Sequence, residues 1–208
     1  MEIELKFKLE NNIDIDGIFN DFRIFEISDL ESEEKISMCA SYFDTQDKRL
    51  SREGMAFRVR AENERLVATL KWNDSSEEGL HIREEINIPL EDKKYLSKPS
   101  LEIFSQSNMY ETLKNVIGSS ELILMMQMDF IRRAVRLDNG NSIFELSVDK
   151  GVIRRGNKTK PISELEIELF SGTCEELDEL GEYLSKKFEL SPEKHSKFRQ
   201  GLDIIDEE

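Results

Sequence analysis

The chain has 208 residues, enough for one domain with a sizeable core, and its 44 acidic against 29 basic residues leave a formal charge of −15. Such a surface repels nucleic acid and anionic membranes, so neither is expected as a partner, and an anionic ligand would need a local basic site with a metal cation. Charged residues make up 35%, but 38% hydrophobic content with twelve Phe argues against disorder.

Eight segments alternate apolar and polar residues with period two and are expected as strands: 2–9, 37–45, 55–63, 65–73, 80–88, 124–137, 142–153 and 162–170. The first, MEIELKFKLE, sets Glu2, Glu4 and Lys6 against Ile3, Leu5 and Phe7. A short helix is expected over 14–23. Turn residues at Glu62-Asn63-Glu64 and Asp138-Asn139-Gly140-Asn141 join neighbouring strands, and 73–79 reads as a longer polar loop. Short loops between neighbours mean antiparallel pairing. A helix over 99–117 carries Leu101, Phe104, Met109, Leu113 and Val116, with Gly118 as its stop. Another over 173–188 opens with a Thr173/Glu176 capping box and buries Leu177, Leu180, Leu184 and Phe188. A last helix is expected over 192–202. The acidic segments 26–35 and 74–78 are expected to be loops that gate any opening.

No repeat or linker divides the chain, so 1–208 reads as a single domain. Cys39 and Cys174 lie far apart with no Cys/His cluster, and are expected as reduced thiols rather than zinc ligands. No apolar signal region follows the N-terminus, and no apolar run approaches ~18 residues. The expectation is a soluble cytoplasmic protein, monomeric or homodimeric.

The charged faces carry the functional signal. They read Glu2, Glu4, Lys6; Arg58, Arg60; Thr69, Lys71; Arg83, Glu85, Asn87; Arg132, Arg136; Glu145, Ser147, Asp149; and Glu164, Glu166, Glu168. A β-sandwich with these faces in water is the plain alternative. Three features point elsewhere. The faces use long or carboxylate side chains almost exclusively. The strands differ in sign, with a cationic pair (55–63 and 65–73) and mainly anionic ones. Arg58-x-Arg60 supplies two guanidinium forks suited to phosphate oxygens. Eight antiparallel strands can close into a barrel. The expected fold is α+β: an eight-stranded antiparallel β-barrel, a tunnel with a charged interior, flanked by α-helices. Burying so many charges is tolerable only with opposite charges, water, metal and an anionic ligand. Other chemistries find no support. His81 and His195 make neither a triad nor a zinc site and read as surface or satisfied residues. No Gly-x-Ser-x-Gly or Walker-type glycine loop occurs. Trp72 reads as packing, and Lys93-Lys94 and Lys186-Lys187 as solvated charge.

In order along the chain, the sequence resembles the CYTH family, the triphosphate tunnel metalloenzymes. The resemblance rests on Glu2-x-Glu4-x-Lys6, YFDT (42–45), RLSREGMAFRVR (49–60), TLK (69–71), REEINIPL (83–90), DFIRR (129–133), FELSVDKG (144–151), PISELEIEL (161–169) and HSKFR (195–199). It implies a tunnel that binds a linear triphosphate and one or two divalent cations, Mg²⁺ or Mn²⁺. Carried over, Glu2, Glu4, Glu166 and Glu168 are metal-ligand candidates, with Glu85, Glu145 and Asp149 as supporting or second-metal groups. Lys6, Arg58, Arg60, Lys71, Arg83, Arg132 and Arg136 would contact phosphate oxygens, and Lys197 would do so from a C-terminal helix that can close over the tunnel. Lys6, Arg132, Glu166 and Glu168 are the catalytic candidates, one of the two glutamates orienting water. Val135 stands where the family often has an aromatic residue, and Arg132 is chosen over Arg133 by its match and its phase with Arg136. The implied activity is metal-dependent hydrolysis of inorganic triphosphate. Thiamine triphosphatase, class IV-type adenylate cyclase and a non-catalytic polyphosphate or nucleotide-binding module remain alternatives.

Overall fold

A computed structural model describes residues 1–206. Its elements are β1 (Glu2–Lys8), α1 (Ile15–Phe19), α2 (Phe22–Ile27), β2 (Ser28–Thr45), α3 (Arg49–Arg52), β3 (Ala56–Glu62), β4 (Arg65–Glu77), β5 (Leu80–Leu90), α4 (Tyr110–Ile117), β6 (Leu122–Asp138), β7 (Ile143–Arg155), β8 (Lys158–Ser171), α5 (Cys174–Phe188), β9 (Ser191–Pro192) and α6 (Lys197–Asp206). Strands β1 to β8 form a closed antiparallel barrel in the order β5-β4-β3-β2-β6-β7-β8-β1, with β1 returning to β5; β9 adds two residues beside β1. The expected eight-stranded tunnel is therefore observed.

The barrel is inside out relative to a barrel with an apolar interior. Leu5, Phe7, Phe144, Leu146, Leu165 and Ile167 point outward and pack with Leu177, Leu180 and Leu184 of α5 and Ile18 and Ile24 of α1 and α2. On another flank, Phe57, Val59, Ala68 and Leu70 pack with Leu50 of α3 and Leu113 and Ile117 of α4. Fully burying each such side chain contributes about 1.5–3 kcal/mol. The apolar half of the alternation thus seats the helices, and the charged half is left facing inward. α5 is set by Thr173, whose hydroxyl accepts from the Glu176 N–H at 3.4 Å. The reciprocal half of the capping box does not form, because the Glu176 carboxylate accepts from Ser142 instead.

Several expected elements differ. The helix over 99–117 is broken: a 3₁₀ turn at Leu101–Phe104, capped by Ser100, is followed by α4 only from Tyr110. The polar run 105–108 interrupts it, while Phe104 and Leu113 still reach the same core. The last helix starts at Lys197, because 191–192 pair with β1 and the Glu193 N–H donates to the Lys6 carbonyl. The two acidic segments are largely strand rather than loop. Residues 28–35 belong to β2, and 74–77 extend β4 beyond a bulge after Trp72. Both stretches are largely exposed, so no apolar alternation marked them. Lys187 is not merely solvated: it bonds the buried Asp21 carboxylate. Both cysteines are free. Among the described residues no helix is long and apolar enough to cross a membrane.

Candidate active site

The barrel encloses a cavity of about 480 Å³. Its charged lining comes from alternate positions of the strands, and the register sets cations against carboxylates across neighbours. Lys6 faces Glu166, Glu2 faces Arg83, Lys71 faces Glu85, and Arg132 faces Asp149. Opposite charges at directly paired positions favour this register over a slipped one.

At one place the pairing is dense. Lys6 bonds Glu166 and lies 3.1 Å from Glu4. Arg132 donates to both Asp149 oxygens at 2.8 Å and to Glu166 at 2.5 Å. Lys197 enters from α6 and lies 2.8 Å from Asp149, 2.8 Å from Glu164 and 2.6 Å from Glu166. Gln200, one turn on, donates to Glu164 at 2.5 Å. Burial pushes the Glu166 carboxyl up, but Lys197, Lys6 and Arg132 outweigh it and hold it well below the usual range. Glu166 is thus an anion with its acceptor capacity taken by three cations.

The opposite wall is unbalanced. Arg58 and Arg60 line the cavity, and the Nε donor of each is buried without an acceptor. Burial, with Arg58 and Arg132 adding repulsion, pushes Arg60 down to about 10 despite its bond to Glu62. Lys71 lies 2.7 Å from Glu2 and 3.1 Å from Glu85, and Arg83 bonds Glu2 and Glu4.

Glu168 faces Glu4 on β1 and Glu145 on β7. Burial, then Glu2 and Glu4, push its carboxyl up to about 8. Among the described residues no group of three His, Cys, Asp or Glu is already arranged to hold a metal ion. The donor chemistry nevertheless fits a hard divalent cation. Glu2, Glu4 and Glu168 are oxygen donors crowded enough to protonate one of themselves, and Mg²⁺ is bound by one or two carboxylates plus phosphate oxygens and water rather than by a full protein cage. A pH dependence follows. A carboxyl raised from 4.5 to about 8 stabilises the fold fully below 4.5, and that contribution is lost as pH rises through about 8. The Tm without divalent cation is expected to fall over that window, and millimolar Mg²⁺ to flatten the slope. An identical Tm profile for Glu168→Gln would contradict it.

Two expected residues stand apart. Arg136 shares the phase of Arg132 but is exposed at the rim and does not line the cavity. Asp149 is fully buried behind Arg132 and Lys197, so it anchors cations rather than facing the cavity. Arg133 points outward onto the Phe19 ring and pairs with Asp16. Of the two expectations for His81, surface or satisfied, the structure shows a buried ring with Nε2 bonded to the Glu193 carbonyl and Nδ1 without a hydrogen-bond partner.

Sequence reasoning missed an apolar wall. Ile36, Met38 and Ala40 of β2 and Met128 and Phe130 of β6 line the cavity, and Phe198 of α6 stacks on Tyr42 at 5.1 Å. Period two was visible in 37–45, but apolar residues on both faces hid which side was inside. Glu164 stood on a charged face without an assigned role, and Gln200 carried no signal.

Comparisons with known proteins agree with this geometry. The sequence model of the CYTH domain matches residues 1–202. An inorganic triphosphatase of Haemophilus influenzae is 30% identical over 202 residues, covering 96% of this chain; the chain spans about half, 54%, of that protein. Among solved structures, an adenylyl cyclase candidate from Hippeastrum with a dominant triphosphatase activity superposes with a TM-score of 0.70 at 21% identity, covering 95% of this chain and 93% of its own. An adenylate cyclase candidate from Bacillus halodurans gives 0.58 at 18% identity, covering 96% of each chain. These likenesses between structures establish a shared fold.

Proposed function

The chain belongs to the CYTH domain family, and from that premise we propose that it is a divalent-cation-dependent hydrolase of a linear triphosphate, inorganic triphosphate first, giving diphosphate and phosphate. One observation carries the reading: the buried Nε donors of Arg58 and Arg60 lack acceptors at the wall of a charged cavity. A buried donor left unpaired costs about 1–3 kcal/mol, and phosphate oxygens match a guanidinium fork. The inorganic triphosphatase activity of the Haemophilus relative supports the same substrate.

In this reading Arg58, Arg60, Lys71 and Arg83 hold the phosphate chain along one wall, with Lys6, Arg132 and Lys197 across from them. Glu2 and Glu4, with Glu168 and with Glu85 and Glu145 nearby, would hold Mg²⁺ or Mn²⁺, which when bound neutralises phosphate charge. Glu166 fixes Lys6, Arg132 and Lys197 in place. Glu168, which faces Glu4 on the acidic side of the cavity, would orient the attacking water as a carboxylate once a bound cation offsets the repulsion of Glu2 and Glu4 that otherwise keeps it protonated. Water adds to the terminal phosphorus as the bond to the bridging oxygen breaks, and alignment in the closed cavity supplies much of the rate.

The apolar wall favours a second reading, in which the triphosphate carries an organic group, as in thiamine triphosphate or ATP. One assay separates them: phosphate release from tripolyphosphate, thiamine triphosphate and ATP with Mg²⁺ or Mn²⁺, beside a Glu4→Gln control. Release is expected to be fastest from tripolyphosphate and about 10²–10³ slower in the control. Release from none of the three would sink the hydrolase reading and leave a binding module or a cyclase.

A further inference from the structure

His81 is buried in the barrel wall, 1% exposed, and none of the chemistry above uses it. It lies on β5 two residues before Arg83, opposite Glu4 of β1. Its Nε2 is 3.0 Å from the Glu193 carbonyl oxygen. A carbonyl only accepts, so Nε2 carries the proton and Nδ1 holds a lone pair. Nδ1 is buried without a hydrogen-bond partner, 4.0 Å from the Asp74 carboxylate.

Glu193 starts the four-residue lead into α6, and everything around it clasps that lead to the β4–β5 hairpin. The Glu193 N–H donates to the Lys6 carbonyl at 2.8 Å, and the Lys6 N–H donates to the Gly79 carbonyl at 2.9 Å. Gly79 has φ +90°, and a Cβ there would stand 2.9 Å from the Lys6 oxygen and 3.0 Å from Pro192 Cβ, so the hairpin tip closes on both segments only as glycine. Lys194 pairs with Glu78 at 2.9 Å, and the Glu193 carboxylate accepts from the His195 N–H at 2.9 Å. Four residues after Glu193, Lys197 reaches Asp149, Glu164 and Glu166. Among the described residues of this clasp, the His81 hydrogen bond is buried, the Glu193–His195 bond is part-buried and the Lys194–Glu78 bond is at the surface.

We infer that His81 is a positioning residue: its Nε2–H, donated to the Glu193 carbonyl, fixes the root of α6 and so the place of Lys197 in the cavity. Its effect on turnover rests on the triphosphatase reading; its hold on α6 does not. An error of about 1 Å in a positioned group can cost ~10²-fold in rate, so a loosened root is expected to act on kcat more than on KM.

The test compares the full chain with His81→Leu, which fills the site without a donor, and His81→Gln, which keeps an N–H donor. Amide hydrogen exchange is followed over 194–204, with β3 and β4 as an internal measure of global folding. In His81→Leu, exchange over 194–204 is expected to rise about tenfold while β3 and β4 stay protected, and kcat on tripolyphosphate to fall about tenfold with KM within about threefold. His81→Gln is expected to restore exchange and kcat to within about threefold of the parent. Unchanged exchange over 194–204 in His81→Leu, or equal damage in both variants, would overturn the assignment. If the parent releases no phosphate, the triphosphatase reading fails, and the exchange data alone decide whether His81 holds α6.

Discussion

Replacing Arg132 with methionine is expected to lower the Tm by roughly 6–20 °C and to reduce phosphate release from tripolyphosphate about 10³-fold. Arg132 donates to both oxygens of Asp149 and to Glu166, and lies 3.5 Å from Glu145. Without it, two buried carboxylates keep only Lys197 and Lys6 as counter-ions. Breaking a buried ion pair from one side costs about 3–5 kcal/mol, because the remaining charge stays desolvated. For a chain of this size each 1 kcal/mol moves the Tm by about 2–4 °C. The pH dependence follows the same logic. Asp149 and Glu166 are both held below the ordinary carboxylate range, so their stabilisation is present above the unfolded values and is lost as pH falls through the folded ones. The variant should therefore show a shallower acid loss of Tm than the parent. Scanning calorimetry between acid and neutral pH checks both. A Tm within about 2 °C of the parent would mean that the network repacks around the gap.

Arg60→Met is expected to do the opposite to stability and nearly the same to activity. The Tm should hold or rise, while kcat/KM on tripolyphosphate falls about 10²–10³-fold. Arg60 is half-buried near Arg58 and Arg132, its Nε has no acceptor, and burial pushes its guanidinium down to about 10 although it pairs with Glu62, which keeps Arg65 at 3.7 Å when Arg60 is lost. Its charged form is disfavoured by the fold, so an apolar replacement of similar length relieves strain that a bound anion would otherwise relieve. The two substitutions together separate cations that hold the barrel from cations that await a ligand. Thermal shift with tripolyphosphate and Mg²⁺ gives a second readout: the parent gains Tm by mass action and the variant gains less. Activity within about threefold of the parent would show that the cationic wall of β3 does not hold substrate.

The contrast between these arginines was not legible in the chain. Arg58, Arg60 and Arg132 all appear as cations on alternating strands. Their difference arises from what stands around them: Asp149 and Glu166 bond Arg132, whereas the buried Nε donors of Arg58 and Arg60 meet no acceptor. Arg136 keeps the phase of Arg132 but is exposed and does not line the cavity, although its cross-strand partner Glu145 does. Asp149 belongs to a charged face, yet both its oxygens are taken by Arg132 and Lys197. Phase tells which way a side chain points and says nothing of how far along the tunnel it sits.

By itself the sequence determined that this chain makes eight strands, most of them with one charged and one apolar face, joined by turns such as 138–141, and that α5 lies on an apolar face. Those properties are local: period-two alternation, turn residues and a capped amphipathic run act over fewer than about twenty residues. Only the tertiary structure decided that the charged face is the inside. A strand with carboxylates facing water and one with carboxylates facing a tunnel have the same pattern, and closure of β1 onto β5 is what distinguishes them. The tertiary structure also brought Lys197 to Glu166 and His81 to Glu193, separated by 31 and 112 positions. Such contacts depend on how covered faces pack, because burying the apolar exterior under α1 to α5 leaves the charged residues no side to face but one another.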